Sequence, residues 1–414
     1  MHTRTLFLPI ILLASAIGLA WLVETHPPQP VALIPTLTGQ VEYCLTCHAD
    51  LAEISPSHPV EEFGCVLCHA GERLALQADL AHSSMRGGKN PSDLAVVEES
   101  CGGEACHEGA SAEWRNHIQR VMTSIQATYT GAITFVRYTS GAQADLIPIY
   151  AIATVQDTTL PSITNLLSLA AFDPAAETIP ALQTFAENCL TCHLRAQPPA
   201  GAQYARFTGC SACHSPLSTQ DSQGQVHILT TAMPYTQCNT CHFRGAYDPR
   251  TMTFTERSDQ PASRRTDMYP ADSLLARCEI TLDCVDCHTH IEAMGCGDLH
   301  VDKAEVQHVQ CSTCHGTATE LPLTRTLTDP NDLAFRLASL NPVISLQLGD
   351  TVVISEHHDE PFWNIRRLAD GSYELISKIT GERYIFRAVL NTACQQNPQE
   401  QEARYCHACH TEQH

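Results

Sequence analysis

The residues most able to do chemistry in this chain are its cysteines and histidines, which recur in a fixed pattern. The 414 residues include 21 Cys and 22 His. Random order of this composition predicts on the order of 0.06 pentapeptides of the form Cys-x-x-Cys-His. Eight such segments occur, and they begin at Cys44, Cys65, Cys189, Cys210, Cys238, Cys284, Cys311 and Cys406.

The spacing of these residues has a specific chemical use. Two cysteines three positions apart lie on one helical turn, where both thiols can form thioether bonds to the vinyl groups of one porphyrin. The histidine beside the second cysteine then supplies the proximal ligand of the iron. Zinc knuckles need no histidine directly after each cysteine pair, and a thioredoxin-like dithiol needs only one pair. The pattern therefore predicts covalently attached haem c.

A ninth element, CGGEACH from Cys101 to His107, has four residues between its cysteines, and its two glycines allow the backbone to bow outward. We therefore predict nine haems c. The predicted thioether cysteines are Cys44, Cys47, Cys65, Cys68, Cys101, Cys106, Cys189, Cys192, Cys210, Cys213, Cys238, Cys241, Cys284, Cys287, Cys311, Cys314, Cys406 and Cys409. The predicted proximal iron ligands are His48, His69, His107, His193, His214, His242, His288, His315 and His410.

The sixth position of each iron separates an electron carrier from an enzyme, because a second histidine closes the site and an open position binds substrate. His357 and His358 lie in a strand-like segment and should point opposite ways, so we expect at most one to ligate. No spare histidine lies between His193 and Cys210, so one haem there borrows a ligand, uses Met233 or stays open. The candidate distal ligands are His58, His82, His117, His227, His290, His300, His308, His358 and His414.

Three cysteines lie outside the attachment elements: Cys278, Cys296 and Cys394. Cys278 and Cys296 flank the Cys284 motif, so an oxidising compartment would allow a disulfide around it. Cys394 would then be unpaired, as a small buried apolar residue.

With 20 to 30 residues per haem in the clusters, the chain cannot build a conventional core there. The fold class that we predict is a multihaem cytochrome c of mainly short α-helices and coil wrapped around stacked haems, with a small β-element near the C-terminus. The predicted segments are a signal-anchor or transmembrane segment (1–26), a Pro-rich spacer (27–43), a trihaem module (44–110), a haem-free insert (111–187), a pentahaem module (188–318), a β-rich haem-free element (319–401) and a last haem attachment (402–414).

The haem-free stretches carry ordinary secondary-structure patterns. Apolar residues at Trp114, Ile118, Val121 and Ile125 have helical spacing, whereas residues 133–138 and 145–155 look like strands. Near the C-terminus, residues 352–355, 373–378 and 382–389 predict strands, the last two joined by a Thr-Gly-Glu turn. We interpret this element as a lid or docking domain.

The N-terminal segment indicates where the protein is located, and the net charge indicates which partners suit it. An uncharged apolar run from Leu6 to Val23 follows Arg4, which predicts a membrane anchor, with a cleaved signal peptide as the alternative. Either places the rest of the chain on the extracytoplasmic side. The net charge of −21 makes nucleic acid an unsuitable partner. It suits either a cationic docking protein or simply the solubility of a cofactor-rich protein.

Segments 284–300 and 58–72, together with the attachment motifs, resemble large extracytoplasmic multihaem cytochromes c of bacteria and archaea. The spacing of the ninth element resembles that of the cytochrome c3 type. The resemblance implies electron transfer in anaerobic and metal-linked respiration, with redox partner proteins such as a quinol-oxidising membrane complex; self-association stays open.

The same broad group contains enzymes that act on small nitrogen or sulfur compounds at one open iron, such as hydroxylamine oxidoreductase and tetrathionate reductase. An oxidoreductase of that kind is the alternative prediction. Pentahaem nitrite reductases carry a lysine in place of the motif histidine, and no Cys-x-x-Cys-Lys occurs in this chain.

Overall fold

The structure is a computed structural model, in which two compact units divide at residue 89: residues 1–89 and 90–414. The predicted trihaem module, 44–110, spans this division. The residues that the structure describes are 13, 15, 29–103, 106–108, 116–156, 166, 168–190, 193–196, 206–216, 227–242, 246–248, 253–255, 277–394, 406 and 410.

The first unit is built from short helices and turns. A 3₁₀ turn, Cys44–Thr46, is followed by α1 (Val60–Phe63), α2 (Val66–His69) and α3 (Ala78–Ala81). Part of the predicted spacer packs into this unit, because the backbone of Leu33 pairs with Glu42 and the amide of Thr36 donates to the carbonyl of Glu61. Residues 33–43 are therefore part of the folded unit and do not stand apart from it.

The second unit contains the remaining helices and all the named strands. Its helices are α4 (Val97–Cys101), α5 (His117–Thr123), α6 (Ile125–Thr128), α7 (Thr130–Thr139), α8 (Pro180–Asn188), α9 (Ser211–His214), α10 (Tyr235–His242), α11 (Arg277–Thr281), α12 (Cys284–Cys287), α13 (His290–Met294), α14 (Cys311–His315) and α15 (Leu333–Ser339). Two 3₁₀ turns are Pro174–Ala176 and Lys303–Glu305.

The strands form three sheets. β1 (Tyr150–Ala151), β2 (Val155–Gln156) and β3 (Ser168–Ala171) have the order β1-β3-β2, and β4 (Ala246–Asp248) pairs with β5 (Thr253–Thr255). The largest sheet is an antiparallel meander in the order β10-β9-β8-β7-β6, made of β6 (Thr324–Thr326), β7 (Thr351–Ile354), β8 (Pro361–Arg367), β9 (Tyr373–Ile376) and β10 (Arg383–Phe386). Three of its strands, β7, β9 and β10, lie where the sequence predicts strands.

The prediction of a strand at residues 133–138 is wrong, because this segment belongs to helix α7. Its buried residues include Thr130, Ile133, Thr134 and Arg137, which recur with helical spacing. Ile133 packs in one cluster with Leu182 and Phe185 of α8. Tertiary packing of this face outweighs the strand preference of its β-branched residues.

The predicted helix after Trp114 is shorter than expected. Ile118 and Val121 are buried in α5, and Ser124 then ends that helix and caps α6, since its hydroxyl accepts a hydrogen bond from the amide of Ala127. Trp114 lies outside the described residues. A serine that can cap a helix thus breaks the apolar stripe into two short helices.

The five-stranded sheet packs on two attachment motifs. Phe362, Ile365 and Tyr373 form a buried cluster, against which Cys287 of α12 and Cys314 of α14 pack. The sheet therefore packs directly on these two motifs.

Among the residues that the structure describes, no helix is both long and apolar enough to cross a bilayer. The predicted membrane segment, 1–26, lies outside the described residues except for two positions.

Candidate haem-attachment sites

Five of the attachment motifs are closed by the same backbone hydrogen bond. The histidine amide donates to the carbonyl of the first cysteine in the Cys44, Cys65, Cys210, Cys284 and Cys406 motifs, with N···O distances from 2.8 to 3.1 Å. This bond places the cysteine side chains and the histidine on one turn. The geometry fits two thioether bonds and one axial nitrogen on a single porphyrin.

The longer Cys101 element closes in the same way. The amide of His107 donates to the carbonyl of Cys101 at 3.2 Å, although two more residues lie between them than in the other motifs. Gly103 has a φ of 112°, which side chains resist, and a Cβ on Gly102 would lie 2.1 Å from the carbonyl oxygen of Glu98. Both glycines are thus required for the bowed loop.

Two pairs of motifs begin 21 residues apart, Cys44 with Cys65 and Cys189 with Cys210, and the second motif of each pair is preceded by a glycine. Gly64 and Gly209, which precede Cys65 and Cys210, have φ values of 64° and 62°. The amide of the following cysteine donates a hydrogen bond in both cases. The amide of Cys65 donates to the carboxylate of Glu42 at 2.7 Å, and the amide of Cys210 donates to the carbonyl of Ser92 at 3.1 Å. A left-handed glycine therefore sets the entry to both attachment turns.

Two of the candidate distal histidines face predicted proximal histidines. The ring centroids of His48 and His82 are 6.0 Å apart, and those of His107 and His117 are 5.6 Å apart. Two imidazoles that bind one metal from opposite sides, with metal–nitrogen bonds of about 2 Å, have centroids roughly 6 Å apart. These two pairs therefore fit the two axial positions of one iron each.

Burial keeps some of these imidazoles neutral, as metal ligation requires. Burial, together with nearby His107 and Arg120, lowers the pKa of His117 to about 3. Burial and two neighbouring arginines, Arg206 and Arg195, lower the pKa of His193 to about 4. Both side chains are available to a metal at neutral pH without loss of a proton.

Several proximal histidines are oriented through Nδ1. His214 Nδ1 lies 2.9 Å from the carbonyl oxygen of Thr230, and His315 Nδ1 lies 3.5 Å from that of Arg387. His288 Nδ1 lies 2.9 Å from a carboxylate oxygen of Glu292. Metal-binding histidines commonly donate their second ring N–H in this way, which leaves Nε2 to the metal.

In the second unit the attachment motifs touch one another. Cys101 and Cys210 pack in one apolar cluster with Leu194, which follows the Cys189 motif. The Gln237 side chain, in the helix of the Cys238 motif, donates to the carbonyl of Ala212 within the Cys210 motif.

The series continues toward the C-terminus. The amide of Tyr235, at the start of the Cys238 helix, donates to Asp283 before the Cys284 motif at 2.9 Å. The Cys284 and Cys311 motifs share the apolar cluster under the sheet, and the side chain of Cys311 lies beside that of Cys406. Seven motifs, from Cys101 to Cys406, thus form one contiguous set.

The remaining distal candidates have other neighbours. His58 Nδ1 lies 3.0 Å from the hydroxyl oxygen of Ser55. His290 contacts the carboxylate of Glu360, and its Nε2 lies 3.4 Å from a nitrogen of Arg120. His227 is half-buried.

Four histidines meet around a cavity of ≈ 140 Å³: His300, His308, His357 and His358. The rings of His308 and His357 stack with centroids 3.6 Å apart, which leaves no room for an iron between them. The expectation that His357 and His358 lie in a strand and point opposite ways is wrong. They lie in the connection from β7 to β8, where His358 has a φ of 60°.

The cysteines outside the motifs do not match the sequence-based expectations. No disulfide joins Cys278 to Cys296, and the Sγ of Cys296 lies 3.3 Å from Nε2 of His300. Cys394 is exposed, so the prediction of a buried residue is wrong. Three predicted site residues, Cys192, Cys409 and His414, lie outside the described residues.

Sequence reasoning missed the buried charged residues around the motifs. The side chains of Glu292 and Glu360 are only 5% and 4% exposed, and each lies against a histidine. Asp286, inside the Cys284 motif, accepts a hydrogen bond from the amide of Lys378 at 2.6 Å. The Glu292 contact is readable from its position four residues after His288, whereas the other two join residues far apart in the chain.

Within the described residues, one group of three metal-ligating side chains has its ligand atoms within 4.8 Å of one another: Glu42, Cys44 and Cys65. Both cysteines belong to attachment motifs, and Glu42 caps the second of these turns through two amides. Its three members therefore all lie at the two predicted attachment turns of the first unit. No family model, curated protein or solved structure matches this chain.

Proposed function

We propose that this chain is an extracytoplasmic electron carrier that binds nine haems c. The observation that carries the proposal is the contiguous series of attachment motifs in the second unit, from Cys101 to Cys406. Haem c supplies reversible one-electron transfer, and the protein binds, orients and tunes it. Motifs in contact hold neighbouring cofactors close enough to exchange electrons along the chain.

The imidazole pairs support a carrier over an enzyme. His82 opposite His48, and His117 opposite His107, would each occupy a sixth position and so exclude a small substrate. The net charge of −21 also repels anionic substrates at long range. We further propose that the N-terminal segment anchors the chain in the cytoplasmic membrane, and that its redox partner presents a cationic face.

The full chain, expressed with a cytochrome c maturation system, tests the proposal. We expect the mass to exceed that of the polypeptide by nine haems, the ferric spectrum to be mainly low-spin by electron paramagnetic resonance, and dithionite to reduce all the haems reversibly. A colourless folded product would end the proposal. A high-spin ferric signal near one per chain, with turnover of hydroxylamine, nitrite or tetrathionate, would favour the oxidoreductase instead.

A further inference from the structure

The proximal histidines have unlike partners. His214 and His315 face neutral backbone carbonyls through Nδ1, whereas His288 faces the carboxylate of Glu292. Glu292 follows His288 by four residues and lies in the first turn of α13, which begins at His290. None of the other eight motif histidines is followed by an acidic residue at the fourth position.

The contacts of Glu292 hold it as an anion. One oxygen accepts hydrogen bonds from the amides of His308 and Val309 at 2.6 and 2.7 Å. The other faces His288 Nδ1 at 2.9 Å and the amide of Thr289 at 3.4 Å. An ionised carboxylate only accepts hydrogen bonds, and here four donors converge on it. Burial, with 5% of the side chain exposed, keeps its charge poorly screened by water.

A second buried carboxylate reinforces the charge at this motif. Glu360, in the β7–β8 connection, contacts the ring of His290 and accepts from the amide of His290 at 2.9 Å. Both carboxylates therefore lie beside the segment that directly follows the Cys284 motif.

We propose that Glu292 is a positioning residue that makes the iron bound by His288 harder to reduce than those bound by His214 and His315. This inference rests on the proposed function. A carboxylate that accepts the Nδ1–H of a ligating histidine makes that ligand more basic, and a nearby anion stabilises ferric over ferrous iron. The Cys284 haem then has a more negative midpoint potential than the Cys210 and Cys311 haems and is the last of these three to be reduced.

The test is a spectroelectrochemical titration of the nine-haem protein and of Glu292→Gln, which keeps the size of the side chain and removes its charge. In the variant we expect one-ninth of the total haem absorbance change to move to a more positive midpoint, with nine haems still present by mass. Glu382→Gln, which removes an exposed carboxylate, should leave the titration unchanged.

Two further variants separate charge from local structure. Thr289→Ala breaks the cap of α13, in which the Glu292 amide donates to the Thr289 hydroxyl at 3.3 Å, and removes the Thr289 contact with Glu360, but it keeps both carboxylates. Its midpoints should match those of the wild type. Glu292→Asp keeps the charge but moves it away from His288, so we expect a smaller positive shift of the midpoint potential than in Glu292→Gln. If Glu292→Gln does not incorporate its haems, the Glu292→Asp titration tests the inference in its place.

Unchanged midpoints in a nine-haem Glu292→Gln protein would overturn the inference, as would an equal shift in Thr289→Ala. If only Glu292→Asp matures, an unchanged titration of that variant would overturn it. Failure of the proposed function looks different, because the wild type itself would then lack haem or fail to reduce reversibly.

Discussion

His82 is the residue whose position most directly tests the ligand geometry. Its ring faces His48 at 6.0 Å, so His82→Ala should leave that iron with one protein nitrogen. We expect about one haem in nine to change from low-spin to high-spin, measured by electron paramagnetic resonance of the ferric protein. Ser83→Ala, at the next residue, is the control. A wholly low-spin His82→Ala spectrum would mean that another group binds there.

Gly103 tests whether the ninth element binds haem. Its φ of 112° strains any side chain, at a cost of about 1–3 kcal/mol, and in Gly103→Val this cost falls on the loop that brings Cys106 to the porphyrin. We expect a product with eight haems by intact mass. Gly141→Val is the matched control, because Gly141 also has positive φ, at 78°, but nothing within 4 Å of a Cβ. Nine haems in Gly103→Val would show that the loop tolerates the strain.

At this scale the sequence predicts best where the chemistry is local. Each attachment turn lies within five or seven residues, so its spacing alone identifies it. The contact of Glu42 with Cys65 spans 23 positions, and that of Glu360 with His290 spans 70. Such contacts depend on how distant turns pack, which no local pattern records.

Lys378 links the five-stranded sheet to α12. Its ammonium donates to the carbonyl of Val285 at 2.6 Å and lies 4.7 Å from the ring centroid of Trp363, while its amide binds Asp286. Lys378→Met would remove the donor to the buried Val285 carbonyl and the positive charge near the buried carboxyl of Asp286. We expect a loss of about 3 kcal/mol in the free energy of unfolding, measured by guanidinium titration of the Soret circular dichroism.

The exposed Lys303 offers a matched control, and Lys303→Met should change this free energy by less than about 0.5 kcal/mol. Equal effects of the two substitutions would show that the sheet does not depend on the Lys378 contact.

Glu374 makes the same sheet sensitive to acid. Burial alone would raise the pKa of Glu374, but hydrogen bonds from Arg366 and Arg383, at 2.7 and 3.0 Å, lower it below its usual value of 4.5. A carboxyl whose pKa is lower in the folded state stabilises the fold above its unfolded pKa, and this contribution is lost as pH falls through the folded value.

The melting temperature of the wild type should therefore fall below about pH 4.5, and that of Glu374→Gln should fall less over the same range. Thermal melts from pH 3 to 7 measure the difference. Parallel curves for the two proteins would exclude Glu374 as the source.

The elements were harder to predict than the motifs. The meander strands β7, β9 and β10 follow from their β-branched and aromatic residues. Residues 133–138 have the same composition but form part of helix α7, so the strand prediction fails there. The buried face of α7 packs against Leu182 and Phe185 of a helix distant in sequence. The β7–β8 connection misleads for another reason: His358 and Asp359 both have positive φ, so the strand pattern stops there.

The whole molecule is governed by its charge. The chain carries −21, and two propionates on each of the nine proposed haems would add further negative charge to the assembled protein. At ionic strength near 0.01 M this field extends about 30 Å, and at 0.15 M about 8 Å. Charged reagents therefore report its sign through the salt dependence of their rates.

The reduced protein should be oxidised more slowly by the cation hexaammineruthenium(III) as salt is added, and faster by the anion hexacyanoferrate(III). Over 0.01 to 0.15 M we expect changes of about tenfold in opposite directions, because steering of this kind alters association rates by roughly 10- to 1000-fold. Stopped-flow absorbance of the haems measures both rates. Comparing each oxidant with itself removes the difference in their potentials. A cation rate that does not fall with salt would show that the electron exit lies outside the acidic field, and a cationic partner would lose its physical basis.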